Sequence, residues 1–247
     1  MVTDSPSPTV SACVIVIGNE ILSGRTQDQN IAYLGRRCDD LGIRLLEARV
    51  IPDLEDQIVA TVDACRNRFD YVFTTGGIGP THDDITAASI ARLFNTTLER
   101  NAAAVAAMER YYAAGMLNEA RLKMADIPAG ARLIDNPVSG APGFQLENVF
   151  VLPGVPIIMQ AMFEGITDRL TGAAPMLSAN VVTHLTEGVI ADGLARIQAA
   201  HPHTAIGSYP YFRDGKLGVN LVLRGTDSEE LERTAGEIRQ MLRRLGK

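Results

Sequence analysis

"TTGGIGPTHDDIT", Thr74 to Thr86, closes the apolar run "FDYVFTT" (69–75) with three glycines, a proline and two adjacent aspartates. A turn needs only one or two such residues, and neighbouring carboxylates repel each other unless something positive lies beside them. The stretch therefore reads as a binding loop at the end of a buried strand.

The chain around it alternates strand and helix. "ACVIVIG" (12–18) is a continuous apolar run rich in β-branched residues and closed by glycine, the pattern of a strand covered on both faces. In "DQNIAYLGRRCDDLG" (28–42), Ile31, Leu34, Cys38 and Leu41 recur at helical spacing, Asp28 caps the start and Gly42 ends it. "IRLLEARVI" (43–51) supplies a second strand, and Pro52 and Asp53 open a helix whose Ile58, Val62 and Cys65 share a face. Such alternation predicts an α/β fold, a parallel sheet with helices on both sides.

Downstream, "NAAAVAAMERYYAAG" (101–115) reads as a helix, and "GFQLE" and "NVFVLPG" as strands around a turn at Glu147 and Asn148. "VPIIMQAMFEGITDRL" (155–170) is a further helix, and "TGAAPMLSAN" (171–180) has the composition of a linker. Beyond it, "VVTHLTEGV", "TAIGSYPYF" and "KLGVNLVLRG" read as strands, the last two around the turn "RDG". "ADGLARIQAAH" is a helix, and Leu231, Ala235, Ile238 and Leu242 mark an amphipathic closing helix. The domain reading is a frayed tail over 1–11, an α/β domain over 12–172 and a small α+β domain over 180–247.

Composition excludes several classes. Hydrophobic residues make up 46% and charged residues 21%, and no apolar stretch reaches the ~18 residues that cross a bilayer. The polar start lacks a signal segment, so the protein is expected in the cytoplasm, with no membrane partner. A net charge of −6 gives no basic surface for a phosphate backbone, so nucleic acid is not expected as a partner. Cys13, Cys38 and Cys65 lack paired spacing and read as buried free thiols. His201 and His203 in "HPH" read as surface residues, and Tyr209 and Tyr211 share one strand face as packing residues.

In an open parallel sheet, ligands bind beyond the carboxyl ends of the strands. Three loops qualify: "GNEILSGRTQDQN" (18–30), "TTGGIGPTHDDIT" and "LPGVP" (152–156). Gly76, Gly77 and Gly79 bring backbone N–H groups close to an anion without Cβ interference, so phosphate or pyrophosphate is the natural guest. Asp83 and Asp84 would repel that guest unless they held a divalent cation bridging to it, for which Mg²⁺ is suited; helix capping is the other use of Asp83. In the first loop, Asn19, Ser23, Thr26, Asp28 and Asn30 offer short polar groups, and Glu20 a carboxylate able to complete a metal site or act as a base. Pro153 and Pro156 stiffen the third loop around Gly154, and His82 lies inside the second. The glycine spacing is neither that of a P-loop nor that of a Rossmann dinucleotide fingerprint.

"TTGGIGPTHDDIT" resembles the signature of the molybdopterin-binding domains of molybdenum-cofactor biosynthesis proteins, the MoaB/Mog type. It is more similar still to the competence- and damage-inducible protein A family and to the N-terminal domain of eukaryotic bifunctional FAD synthases. "GNEILSGRTQDQN" is similar to the first-loop pattern of those two groups, and "NPVSGAPGF" (136–144) with "LPGVP" matches their later blocks, over roughly Ala12 to Leu170. The resemblance implies a three-layer α/β/α domain with a mostly parallel sheet. Its loops would bind a phosphorylated small molecule, a pterin or a nucleotide diphosphate, with Mg²⁺, in a homo-oligomer. Carried over by position, Asp84 falls on the family's acidic residue, Gly76, Gly77, Gly79 and Thr81 on its phosphate-binding stretch, and Glu20 on its Gly-x-Glu carboxylate. The implied catalytic set is Asp84, Asp83 and Glu20, with Asp84 and Asp83 as metal ligands. The implied substrate-binding set adds Gly18, Asn19, Ser23, Gly24, Asp28, Asn30, Thr75, Pro80, Pro153 and Gly154. Two positions depart from the pattern: Ala88 and Ile158 stand where many members carry glutamate.

The leading expectation is a metal-dependent pyrophosphatase cleaving ADP-ribose or FAD to AMP. Binding or adenylylation of molybdopterin is the second reading, and a non-catalytic nucleotide- or pterin-binding module the third. The deamidase and adenylyltransferase activities of the larger relatives are not expected, the chain being read as their front portion standing alone.

Overall fold

The computed structural model describes residues 9–113, 115–213 and 215–246. Most of the expected tail, together with Ala114 of the alanine-rich stretch and Asp214 of the "RDG" turn, lies outside them. The chain divides into two compact units, Met1–Ala173 and Ala174–Lys247.

The first unit runs β1 (Val10–Ile17), α1 (Asn19–Leu22), α2 (Asn30–Asp40), β2 (Ile43–Ile51), α3 (Glu55–Arg66), β3 (Tyr71–Thr75) and α4 (Thr86–Leu93). It continues through β4 (Leu98–Arg100), α5 (Ala102–Glu109), α6 (Glu119–Leu122), β5 (Asp126–Pro128), β6 (Arg132–Ile134), β7 (Gly143–Leu146), β8 (Val149–Leu152) and α7 (Pro156–Glu164). Six strands form one sheet in the order β2-β1-β3-β8-β7-β6, while β4 and β5 pair separately. The first four are parallel; β7 runs against them, pairing antiparallel with β8 on one side and with β6 on the other.

Strand periodicity sorts the apolar side chains into two layers. Cys13, Ile15 and Ile17 of β1 pack on one face with Ile58, Val62 and Ile90. Ala12, Val14 and Val16 pack on the other with Leu34, Met159 and Phe163. The same parity sends Val72 and Val151 to the first layer and Phe73 and Phe150 to the second. Successive strand side chains point to opposite faces, so an unbroken apolar run buries both, and the unit is the expected three-layer α/β/α domain. Phe73 sits at the middle of the second layer, its ring centroid 5.4 Å from those of both Phe150 and Phe163. Arg37 fastens α2 to α7 by donating from Nε and Nη2 to the two oxygens of Glu164, at 2.6 and 2.7 Å.

Several boundaries move. The helix expected from Pro52 and Asp53 begins at Glu55, because the Asp53 carboxylate turns away to accept the Asn19 N–H at 2.9 Å. The alanine-rich helix, capped by the Asn101 side chain, ends at Glu109. The first loop does not stay open; it holds the one-turn helix α1 directly after Gly18. Gly42 ends α2 as expected, with φ +73°.

The second unit runs β9 (Leu177–Thr183), α8 (Glu187–Ala200), β10 (Ala205–Arg213), β11 (Lys216–Gly225) and α9 (Ser228–Leu245), with an antiparallel sheet ordered β10-β11-β9. Strand β9 begins inside the stretch read as a linker, since Ala179 pairs with Leu223 and packs against the core of this unit. Val181, Leu221, Leu223, Ile190 and Ile238 form that core. His201 is not a surface residue: it is 8% exposed, with Nε2 3.2 Å from Glu237 and Nδ1 3.7 Å from Glu230, so two carboxylates of α9 offset its burial. Tyr209 is exposed rather than packed.

The three cysteines are buried and free, with Cys13 and Cys65 3.5 Å apart through sulfur. Burial pushes the Cys38 thiol up to about 12. Among the described residues, no helix is long and apolar enough to cross a membrane.

Candidate active site

The carboxyl ends of β1, β3 and β8 lie side by side in the sheet, so the loops leaving them converge. They surround one cavity of about 570 Å³. From the first loop come Glu20 and Thr26, from the second Gly76, Gly77, Gly79, Pro80, Thr81, Asp83 and Asp84, and from the third Pro153, Gly154 and Pro156.

The glycines are demanded by close approach. Gly76 has φ +105°, and a Cβ there would lie 2.1 Å from the Ile17 carbonyl oxygen of β1. Gly77 has φ +68°, and its Cβ would meet the Thr86 hydroxyl at 2.1 Å, the same hydroxyl that donates to the Gly76 carbonyl at 3.0 Å. Gly79 has the Asp84 carboxylate where a Cβ would stand, at 2.6 Å. The Gly76 amide is held by the Leu152 carbonyl at 3.0 Å, but no acceptor among the described residues takes the amide hydrogens of Gly77, Ile78 or Gly79. Unpaired loop amides beside positive-φ glycines form the concave donor set that receives an anion.

The two aspartates do not cap α4, which starts at Thr86 behind Ile85. Both turn back on Thr81. Asp84 Oδ2 accepts the Thr81 amide at 2.8 Å, and the single hydrogen of the Thr81 hydroxyl is shared between Asp83 Oδ1 at 2.5 Å and Asp84 Oδ2 at 2.6 Å. The Thr81 hydroxyl, followed by the backbone amide of Asp83 itself, holds the Asp83 carboxyl below the usual range. Lys123 donates to the Thr81 carbonyl from behind the loop. His82, between these groups and solvent, is 99% exposed.

The other expected residues divide. Asp28, Asn30 and Thr75 line a smaller cavity that shares Glu20, Thr26 and Gly154 with the large one. Asp28 also caps α2, its Oδ1 accepting the Ile31 N–H at 2.8 Å. Gly18, Asn19, Ser23 and Gly24 line neither. Asn19 donates its backbone N–H to the Asp53 carboxylate, and Gly18 leaves room for the Glu20 carboxylate, which would lie 2.5 Å from a Cβ there. The Ser23 hydroxyl donates to the Glu20 carbonyl, and Gly24 has nothing within 4 Å of a built Cβ.

Sequence reasoning missed Asp53, Met124, Asn136 and Ser139, all of which line the large cavity. Asp53 follows β2, a strand end that was not counted among the ligand loops. Asn136 opens the "NPVSGAPGF" block; it accepts the amides of Val138 and Ser139 at 3.0 Å and donates to the Ala141 carbonyl at 2.8 Å, so it builds the wall by folding its own loop. Ala88 lies in a separate small pocket behind the glycine loop with Lys123, while Ile158 lines the large cavity.

Four carboxylates, Glu20, Asp53, Asp83 and Asp84, line the cavity, and among the described residues no lysine or arginine does. Among the described residues no three His, Cys, Asp or Glu side chains gather to hold a metal by themselves. That donor set does not suit a closed tetrahedral site of four protein ligands. It suits Mg²⁺, which takes one or two carboxylates and completes its shell with water and substrate phosphate.

Comparison with known proteins agrees with this architecture. Residues 13–172 match the family described as "Probable molybdopterin binding domain", and residues 175–245 match "FAD synthase, middle domain". A protein of Archaeoglobus fulgidus is 34% identical over 233 residues, covering 93% of this chain and 96% of its own. A CinA-like protein of Citrifermentans bemidjiense is 32% identical over 93% of this chain, which spans 57% of that longer relative. Among solved structures, CinA of Thermoplasma acidophilum is 35% identical with a TM-score of 0.62, over 66% of this chain and 99% of its own. The two matched segments, the three loops at the sheet edge and the relatives together place the chain in the molybdopterin-binding-domain family, in its CinA-like group, with a unit of the FAD-synthase middle-domain type behind it.

Proposed function

We propose that the protein is a metal-dependent pyrophosphatase that hydrolyses a nucleotide diphosphate such as ADP-ribose or FAD, releasing AMP. The observation that carries the reading is the pairing, in one cavity, of unpaired loop amides at Gly77, Ile78 and Gly79 with carboxylates at Asp83, Asp84, Glu20 and Asp53. The amides accept a diphosphate. The carboxylates repel it, so the cavity needs a divalent cation to balance the charge.

Asp84 and Asp83 would hold that cation, which supplies charge neutralisation at a phosphoryl oxygen and lowers the pKa of bound water. The loop amides stabilise charge that develops on the phosphoryl oxygens, and Glu20, in the lining of the same cavity, takes a proton from the attacking water. Water adds to one phosphorus, the bridging P–O bond breaks, and two phosphate monoesters leave.

The test is AMP release from ADP-ribose and FAD with Mg²⁺, Mn²⁺ or Co²⁺, beside Asp84→Asn. The amide still accepts the Thr81 N–H but no longer carries charge. Turnover that falls about 100-fold or more in the variant supports the reading. Equal turnover, or none in the wild type with any of the three metals, refutes it. ATP-dependent modification of a pterin, with no AMP from either compound, would favour molybdopterin adenylylation; the family description itself speaks only of molybdopterin binding.

A further inference from the structure

Strand β2 is the outer strand of the six-stranded sheet on the β1 side, nine residues long, and β1 is its one neighbour in the sheet order. The Gly18 N–H donates to the Ile51 carbonyl at 3.1 Å, so Ile51 turns its backbone groups toward β1. The register runs unbroken from Cys13↔Glu47 to Ile17↔Ile51, and strand parity therefore turns Glu47 and Arg49 the same way as Ile51. The N–H and C=O groups of Ala48 and Val50 point outward, and among the described residues none of them has a backbone partner across that edge. Side chains on the edge are apolar where they are exposed: Leu46 is 62% exposed and Val50 37%, with Ala48 exposed between them. Glu47 and Arg49 alternate with these three. Arg49 donates to Glu47 from Nε at 2.5 Å, and its two Nη groups find no acceptor among the described residues. A free edge with exposed apolar positions and no lysine or proline on it is a template for another strand.

Charge and parity say which strand. A two-fold axis through Ala48 lays β2 antiparallel on its own copy, so that Ala48 exchanges both backbone bonds with the partner's Ala48, and Leu46 faces the partner's Val50. In the same register Glu47 faces the partner's Arg49, and the symmetry repeats that opposite-charge pair, with the unused Nη groups of Arg49 as donors. Other registers fail. A shift of one residue sets outward backbone groups against inward ones, and an axis through Val50 would set Glu47 against the partner's Asp53 and Ala48 against the partner's Pro52, which has no N–H. We propose that β2 is the interface of a two-fold homodimer, centred on Ala48, that joins two copies of the six-stranded sheet into one continuous sheet. The axis reverses the strand direction, so the two large cavities at the carboxyl ends lie at opposite sides of the joined sheet, and each takes its residues from its own chain. The inference is independent of what those cavities bind.

Sedimentation equilibrium of the full chain, together with cysteine cross-linking, tests it. The wild-type protein should sediment at twice the chain mass. Ala48→Pro removes the outward N–H and spares the ladder to β1, so it should raise the dimer dissociation constant about tenfold or more, with circular dichroism as the check on folding. Ala48→Cys sets two thiols on the axis with Cα atoms about 5.5 Å apart, within disulfide range, so mild oxidation should cross-link it. Val50→Cys sets its thiols about 14 Å apart, four residues of strand, and should not cross-link. The native cysteines are buried and stay out of the reaction. A wild-type protein that is monomeric at every concentration, or an assembly with an odd number of chains, overturns the proposal. So does a dimer that a folded Ala48→Pro leaves as tight as before, one in which Ala48→Cys fails to cross-link, or one in which Val50→Cys cross-links as readily. Should Ala48→Pro not fold, the two cysteine variants decide between these outcomes by themselves.

Discussion

Gly76→Ala tests whether the glycine loop is held in place by contact with the neighbouring strand. At φ +105° an alanine is strained, and its Cβ would stand 2.1 Å from the carbonyl oxygen of Ile17, where real Cβ atoms stay beyond 3.0 Å. Ile17 is 2% exposed and pairs with Ile51 of β2, so it has no room to yield. The loop must move instead, by roughly 1 Å, which breaks the bond between the Gly76 amide and Leu152 and carries the amides of Gly77 and Gly79 away from their positions. Gly130→Ala is the matched control: φ is +83°, and nothing lies within 4 Å of its Cβ. Dihedral strain alone costs the control about 1–2 kcal/mol. The clash and the lost bond bring Gly76→Ala to about 3–5 kcal/mol. For a protein of this size about 2–4 °C of melting temperature goes with each kcal/mol, so calorimetry should lower the first unit's transition by roughly 10 °C in Gly76→Ala and about 4 °C in the control. A 1 Å displacement of binding groups also costs on the order of 100-fold in function, so ADP-ribose turnover should collapse in Gly76→Ala and persist in Gly130→Ala. Melting temperatures within a degree or two of each other would refute the close-approach argument, whatever the activity.

Glu164→Gln probes the ion pair that joins α2 to α7. The Arg37 guanidinium holds the Glu164 carboxyl below its usual range, so the stability it contributes is complete above the unfolded pKa and fades as pH falls through the folded one. The Glu164 side chain is 45% exposed, so solvent screening keeps the effect under about 1 kcal/mol. Urea titrations should separate wild type from variant at pH 7 and bring them together below about pH 4; a gap of constant size down to pH 3 contradicts the assignment. In the second unit, His201→Ala leaves the partly buried Glu230 without its imidazole neighbour and opens a gap under α9. A loss of about 1–3 kcal/mol should appear in that unit's transition alone, and an unchanged melt would mean that the buried pair contributes nothing net.

Local pattern was enough to read the layers of this protein. Apolar runs such as "ACVIVIG" and "FDYVFTT" bury alternate side chains on both faces, which only a covered strand satisfies, and the helices between them show their apolar stripe at fixed spacing. The glycine loop was equally legible, because positive φ and close backbone approach leave no residue but glycine at Gly76 and Gly77. Tertiary structure decided which polar residues face the guest. Asp53 belongs to the cavity because parallel pairing sets the end of β2 beside β1, a neighbour relation that no spacing along the chain records. Pairing across the second sheet likewise drew β9 out of a linker-like stretch, and packing between two carboxylates of α9 buried a histidine that reads as surface. Short polar side chains have no periodicity of their own; whether one ends up satisfied, capping or unpaired depends on what the fold brings opposite it, as it brings the Gly154 carbonyl to the Asn30 amide from 124 residues away along the chain.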